Sequence, residues 1–435
     1  VYGSCEYSNP NQGSSEYIVL ATNNKAVAVK ISDGSSTDIA YPAFVNINAQ
    51  TDMIQAFNKI FIFRDGNVAL EWNGDLSGTP AFTKVESGTY SQPEMYHIQM
   101  TDVTSTDGLV SFVIAGDVTS QLPESAFLRV YEADDALFQI AVDEEYLITS
   151  SVFAAGSTTV KAYLPVPDSS GASATNYITI GRQISVGNGF THMPAPKFAI
   201  YHQRRLVMPF AHSVDAAADT YTSRGILDEV IASDVLDSDT YDQIYANFRF
   251  NAGTADYVVG LHSFSEDKLL VFNRNSIHLV QGAGATASSQ LITNEVGCVA
   301  RKTITQVGNN VIFLSDNGVY GANFQDLYNL RGNDTPLSST ITATIARINK
   351  DYWQNSVAIY YDNRYFIAVP IDNSDKNNAI IIFNLINKQW ESVDTVNAAG
   401  WNISNLIVAG EGSSRGIYAV NDIGGIHKID GRVDS

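Results

Sequence analysis

Five residues, Gly412, Ser413, Ser414, Arg415 and Gly416, match the G-x-S-x-G pattern that presents a nucleophilic serine in α/β hydrolases. That chemistry needs a strand-to-helix elbow, whereas here the pattern lies between two short apolar runs, Leu406–Ala409 and Gly416–Val420. A hairpin turn is the expectation. The seven histidines, His97, His192, His202, His212, His262, His278 and His427, contain no H-x-H or H-x-x-x-H pair, so each is read as a turn or core residue and no zinc site is expected. Asp372–Asn378 alternates oxygen-bearing side chains like a calcium loop. Lys376 occupies a ligand position, however, and no glutamate closes the loop, so it reads as a long turn. Asp316 and Gly318 fit the turn of an Asp-box without its aromatic or a second copy. Arg205, Arg224, Arg249 and Arg301 could converge into a carboxylate clamp, although their spacing does not bring them together. Gly282–Ala285 lacks the Lys-Ser/Thr of a phosphate loop. The motifs therefore predict no catalytic residue, no cofactor and no metal.

The elements that must carry these residues are short strands. Across 435 residues, 45% are hydrophobic and only 17% charged, with 22 Tyr, 20 Phe and 31 Gly. Aromatic and β-branched side chains suit half-buried pleated surfaces, and Gly, Asn and Asp suit the turns between them. Lys and Arg total 26 against 46 Asp and Glu, a net charge of −20. Such a surface repels nucleic-acid phosphate unless the few cations are gathered in one place. The densest acidic stretch, Asp228 to Asp242, reads as a solvated loop or the border of a channel or intersubunit seam. Cys5 and Cys298 are too far apart in sequence for a metal motif and too few for a disulfide framework. No apolar run approaches the ~20 residues of a membrane helix, so no membrane insertion is expected, and synthesis in the cytoplasm is the expectation. The chain opens at Val1 without a methionine.

A strand–turn–strand phrase recurs at Ile54–Trp72, Phe198–Phe210, Tyr257–Val280, Thr303–Tyr320, Val357–Leu385 and Leu406–Ile429. From the third copy the starts are about 45–55 residues apart, the spacing of four-stranded propeller blades. The expected fold is an all-β propeller of six blades, with seven as the alternative. A hairpin at Tyr17–Ile31 has no complete blade of its own and is expected to finish the last blade, or else to open a seventh. Residues 88–186 break the period with runs at Leu109–Ile114, Ala126–Tyr131, Leu137–Val142 and Thr159–Leu164, which predict an inserted β-barrel or sandwich. The propeller would then comprise residues 1–87 and 187–435. One helix is expected near 338–350, with Ile341, Ile345 and Ile348 on one face, packed on a blade or contacting a neighbouring subunit.

The stretch from Tyr257 to Trp390 resembles the nozzle proteins of short-tailed phages, the tail tubular protein B family, and packaged-DNA stabilisation proteins of related tails. The resemblance runs through Leu269–Phe272 with Ile277–Gly282, Gly297–Lys302, Val311–Tyr320, Ser339–Asn349, Asn363–Pro370 and Phe383–Trp390, in that order. Gly297, Cys298, Asp316, Gly318, Tyr320 and Trp390 are its marker residues, in structural roles. The resemblance implies a homo-hexameric ring in the virion tail, below the portal and adaptor and in contact with tail fibres. DNA would pass through its lumen without specific binding, and no catalysis is implied. The rival readings are a glycan-binding or glycan-cleaving propeller and a protein-binding propeller scaffold.

Overall fold

The computed structural model describes residues 1–8, 16–85, 96–119, 122, 124, 127–133, 145–165, 169–170, 177–183, 190–191, 193–215, 220–223, 225–238, 241–242, 246–282, 287–323, 335–395 and 402–429. The chain divides into two compact units, Val1–Glu86 with Thr191–Ser435, and Ser87–Phe190.

Among the described residues the larger unit holds seven antiparallel meander sheets of three or four strands, and a separate two-stranded hairpin, His212–Asp215 with Thr220–Ser223. Blade 1 is Gly3–Ser8, Glu16–Ala21, Lys25–Lys30 and Ser36–Ala40, and blade 2 is Asp52–Ala56, Lys59–Arg64, Asn67–Trp72 and Thr83–Lys84. Blade 3 is Ile200–His202, Arg205–Pro209, Glu229–Ala232 and Asn247–Arg249, and blade 4 is Val258–Ser265, Lys268–Asn273, Ile277–Gln281 and Ser288–Thr293. Blade 5 shows Thr305–Val307, Asn310–Ser315 and Gly318–Asn323. Blade 6 is Val357–Tyr361, Arg364–Val369, Ala379–Asn384 and Gln389–Thr395, and blade 7 shows Ile403–Ala409, Gly416–Asn421 and Ile426–Ile429.

Packing between the sheets closes a ring. Val19 and Ala28 of blade 1 meet Ile60 and Ile62 of blade 2, whose Phe61 and Phe63 face Leu206 and Met208 of blade 3. Val207 and Val230 pack on Leu269 and Val271, and Leu270 and Phe272 on Val311 and Phe313. Ile312 and Leu314 then meet Tyr365 and Ile367, and Phe366 and Ala368 meet Leu406 and Ile417. Ile407, Ala409 and Val420 of blade 7 return to Ile18 and Leu20 of blade 1. Successive residues of each second strand therefore face opposite neighbours, and the strand is buried on both faces. That is why these strands read as unbroken apolar runs rather than alternating ones.

Seven blades, the alternative count, form this ring. The Tyr17–Ile31 hairpin supplies the middle strands of a complete blade 1 instead of finishing blade 7. Among the described residues the ring closes without an exchanged strand. Besides the apolar seam, the Asn405 amide donates to the Ser4 carbonyl and hydroxyl at 3.2 and 2.9 Å, and the Val1 ammonium donates to the Asp422 carbonyl at 2.6 Å.

The first strands face the axis and are joined by side chains. Gln55 both donates to and accepts from the Ser8 backbone; His202 bonds Ser263 at 2.8 Å, and His262 bonds Gln306 at 3.3 Å. In blades 2, 3 and 6 the first hairpin turns through two residues of positive φ, Phe57–Asn58, Gln203–Arg204 and Asp362–Asn363. Such turns match the twist of the flanking strands. Phe57 is an unusual residue for that conformation, and its ring packs edge-on against Tyr201 of blade 3, with centroids 5.2 Å apart.

The expected helix near 338–350 shrinks to one 3-10 turn, Ser339–Ile341, and one α-helical turn, Thr342–Ile345. Thr and Ile are weak helix formers, and the Ser338 hydroxyl accepts the Val319 N–H at 3.0 Å instead of capping the turn. Ile348 is buried between blades 5 and 6, with Ile341 and Ile345 packed against the same core. The stripe therefore faces inward, which removes Ile348 as a subunit contact.

The unit Ser87–Phe190 contains one eight-stranded antiparallel sheet. Its order runs Ser169–Ser170, Val103–Thr106, Leu109–Ala115, Ser157–Tyr163, Glu145–Ala154, Phe127–Ala133, Tyr177–Gln183, Tyr96–Gln99. Val110, Phe112, Leu128, Val130, Ile148, Val160, Ile178 and Ile98 share one core, so the sheet curls around it. Register shifts at Val130/Glu132 and Ile148/Ser150 supply local bends. The expected strand at Leu137–Val142 lies outside the described residues.

Candidate functional site: a cationic pocket on the propeller axis

The leading ends of the first strands enclose a cavity of about 380 Å³. Blade 2 contributes Gln50, Thr51 and Asp52; the approach to blade 3 contributes Lys197 and Phe198; blade 4 contributes Tyr257, Val258 and Arg274. The crossing into blade 5 brings Val299, Arg301 and Lys302, the crossing into blade 6 brings Trp353–Asn355, and blade 7 adds Ser404. A ring of short first strands produces this convergence, because each begins at the same end of the axis.

The cations on this wall differ in how they are held. Arg301 donates to the carboxylate of Asp52, itself only 7% exposed, and lies over the Phe198 ring at 4.6 Å. Arg274 makes a two-pronged bond to Asp316, 2.7 Å on one arm, and sits 5.5 Å from the Trp353 ring centroid. That bond to Asp316 raises the Arg274 pKa. Lys197 and Lys302 make no hydrogen bond or ion pair among the described residues. Lys302 is enclosed by protein but keeps partial contact with solvent through the cavity. Burial lowers its pKa to about 8, against a smaller opposing pull from Asp52 and with a further push from Arg301. Thr51 Oγ1 and Asp52 Oδ2, on the same wall, also lack partners among the described residues.

Several of the marker residues serve this wall. A Cβ at Gly297 would collide with the Arg274 backbone, so only glycine lets that turn approach, and the next N–H, of Cys298, donates to the Asn273 carbonyl at 2.9 Å. Asp316 then fixes the Arg274 guanidinium. Gly318 has φ +128° and leaves room for Ser338. Tyr320 stacks on Phe313 in the core of blades 4 and 5, and Trp390 packs on Phe383 while its N–H donates to the Leu337 carbonyl at 3.2 Å.

The remaining candidates stay apart. Arg205 bonds the Ser233 carbonyl and Arg249 pairs with Asp228, both within blade 3, so neither joins Arg301; Arg224 lies outside the described residues. Glu229 opens the third strand of blade 3, where Asn247 donates to it, and Asp228 just before it pairs with Arg249, so this part of the acidic stretch is held in blade 3 rather than left as a solvated loop. Ser414 sits in the turn between two strands of blade 7 and its hydroxyl donates to the Glu411 carbonyl. Asp372 pairs with Arg347, and Lys376 with Asp422. Among the described residues no group of three or more metal-ligating side chains forms.

Inspection of the sequence alone misses one further constellation. The Ser276 hydroxyl donates to Asp256 and lies 3.1 Å from His278 Nε2. Burial raises the Asp256 pKa, but bonds from Ser276, Asn275, Asn251 and Asn273 more than offset it and leave it lowered. The order is wrong for a nucleophile, since serine rather than histidine stands in the middle, and Ser276 is 1% exposed. This network braces blade 4. Sequence inspection also misses the pocket cations Lys197, Arg274 and Lys302. Lys197 and Lys302 share a recoverable signal: each stands shortly before the first strand of a repeat.

No family model matches the sequence, and no curated protein matches it. Among solved structures, Saccharomyces cerevisiae Sqt1 is similar at TM-score 0.40 and 9% identity, covering 97% of this chain and 93% of that one. BBS1N, in a crystal structure of its complex with ARL6DN, is similar at TM-score 0.34 and 10% identity, covering 98% and 90%. Nothing about function is taken from either likeness; the propeller rests on the closed packing of the seven blades.

Proposed function

We propose that this chain is a non-enzymatic structural subunit of a short-tailed phage tail, a propeller that assembles with copies of itself into a hexameric nozzle ring. The ring would sit below the portal and adaptor, retain packaged DNA and let it pass at ejection. The observation that carries this reading is that the ordered nozzle-like phrases cover a continuous block of the fold. They span strands of blade 4 (Leu269–Phe272, Ile277–Gln281), the crossing Gly297–Lys302, the blade 5 hairpin Val311–Tyr320, the crossing Ser339–Asn349, and blade 6 strands within Asn363–Pro370 and Phe383–Trp390. Crossings differ between unrelated propellers far more than strands do, so a likeness that includes two of them is more specific than shared strands.

The inserted sheet supplies a surface suited to a second copy. Val113 and Val152 both pair with Thr159 across three adjacent strands, and they are 39% and 56% exposed. Leu147, Phe153, Tyr163 and Tyr177 are exposed on the same unit. Exposed apolar groups this numerous on one small sheet are the mark of a contact surface. In the ring they would be covered by the neighbouring subunit.

Mass photometry of the purified protein, alone and with its portal-side partners, tests the assembly. The expected result is a hexameric species that Val152→Asp depletes at least tenfold while leaving the monomer folded. A monomer under every condition, or a gene neighbourhood without portal and terminase genes, overturns the proposal.

A further inference from the structure

We propose that the axial pocket is a binding site for a phosphate dianion, free or as a small phosphate monoester. The charge balance selects the ligand. Arg301 is matched by Asp52 and Arg274 by Asp316, which leaves Lys197 and Lys302 as two ammonium groups without an ion-pair partner among the described residues. A phosphate monoester carries roughly −1.5 to −2 charges near neutral pH and fills that deficit, whereas a single carboxylate leaves it half filled.

The arginines add directionality. Arg301 spends one N–H nitrogen on Asp52 and retains further donors, in the fork geometry that suits phosphate oxygens. The volume of about 380 Å³ falls at the small end of ligand pockets and has room for a phosphoryl group with a modest organic part. Tyr257, 40% exposed, and Trp353 offer aromatic surface for that part. With a net charge of −20, the surface as a whole disfavours anions, so the cationic pocket is a favoured place for one.

Occupancy also has a proton signature. The charged groups facing Lys302 are Asp52 from blade 2, Lys197 ahead of blade 3, Arg274 from blade 4 and its neighbour Arg301. A dianion among them restores the ordinary preference of Lys302 for its proton, so binding near pH 8 takes up protons. The pocket lies on the axis of one propeller, and its occupancy does not depend on ring assembly.

Isothermal titration calorimetry of the full chain with inorganic phosphate, adenosine 5′-monophosphate and adenosine separates the cases. The expected result is binding of phosphate or the monophosphate, none of adenosine, and an apparent enthalpy at pH 8 that changes with buffer ionisation heat. Lys197→Met and Lys302→Met should each weaken binding at least tenfold. Neither lysine is part of an ion pair among the described residues, so both variants are expected to fold, and circular dichroism checks this. Tighter binding of the monophosphate than of phosphate assigns the aromatic surface to the organic part; equal binding assigns the site to free phosphate. Binding of adenosine equal to that of its monophosphate, silence of all three ligands at millimolar concentration, or affinity unchanged in both lysine variants overturns the proposal.

Discussion

Replacing Lys302 by methionine should stabilise the propeller at neutral pH, and the gain should vanish in base. The Lys302 pKa is held at about 8 in the folded chain against 10.5 for the free side chain, chiefly because burial disfavours the charged form. At about 1.36 kcal/mol per unit, the charged lysine costs the fold up to roughly 3.4 kcal/mol at pH 7. Lys302 keeps part of its solvent contact through the cavity, and methionine removes a cation that Asp52 attracts, so a net gain of about 1–2 kcal/mol is expected. The sign follows from proton binding. Between pH 8 and 10.5 the unfolded chain holds the proton and the folded chain has released it, so wild-type stability rises with pH through that window relative to the variant. Urea unfolding of both proteins at pH 7, 9 and 10.5, followed by tryptophan fluorescence, measures the difference. The variant should lead at pH 7, and the gap should fall below about 0.5 kcal/mol at pH 10.5. A variant less stable than wild type at pH 7, or a gap independent of pH, refutes the reasoning that Lys302 is a buried charge without adequate compensation.

The closing seam should be the weakest joint in the ring, since Ile18, Leu20, Ile407, Ala409 and Val420 form its buried cluster without an exchanged strand among the described residues. Native-state hydrogen exchange should show Gly416–Asn421 opening before Lys268–Asn273 of blade 4, and Ile18→Ala should cost about 2–5 kcal/mol by urea unfolding; uniform protection around the ring would contradict this. Burial pushes the Cys298 thiol up to about 12 and raises Cys5 as well, so native protein at pH 8 should resist iodoacetamide and unfolded protein should label at both positions, as read by mass spectrometry.

What the sequence discloses follows from how each strand is buried. The second strands, such as Leu269–Phe272 and Val311–Leu314, carry apolar residues on both faces and stand out as uninterrupted runs. The outer strands of blade 1 do not. Gly3–Ser8 contains two serines and a glutamate, and Ser36–Ala40 keeps one buried residue, Ile39, so the hairpin between them looks orphaned and the count falls to six. The stripe Ile341, Ile345 and Ile348 has helical spacing, yet the intervening Thr342 and Thr344 are weak helix formers, and the helix ends at Ile345. The pocket was harder to see for a different reason. Its cations come from separate repeats, so no local window contains the site. Lys197, Arg301 and Lys302 each lie just before a first strand, Arg274 reaches the same end of the axis from the close of a second strand, and that shared end exists only once the ring is closed.

The charge distribution gives the two proposals a common logic. With 46 carboxylates for 26 cations, a lysine at the surface finds a partner easily, and Lys25, Lys59 and Lys376 do, with Asp38, Glu71 and Asp422. Arg347 and Arg364 are likewise matched by Asp372 and Glu391. Lys84, Lys161, Lys268 and Lys388 also lack an ion pair among the described residues, so what sets Lys197 and Lys302 apart is that both line one cavity, with Lys302 half-buried in it. Burial holds the Lys302 pKa down, so its charge is expected to cost rather than add stability at neutral pH. A group retained against its own stability cost is expected where a ligand recovers the cost. The same arithmetic separates the two proposed roles. In the proposed ring the acidic exterior would offer a passing DNA strand repulsion and no grip. The axial pocket, at about 380 Å³, is too small for a duplex but has room for a phosphoryl group. If both proposals hold, DNA retention in the ring should be insensitive to Lys302→Met, while binding of small phosphates should respond to it.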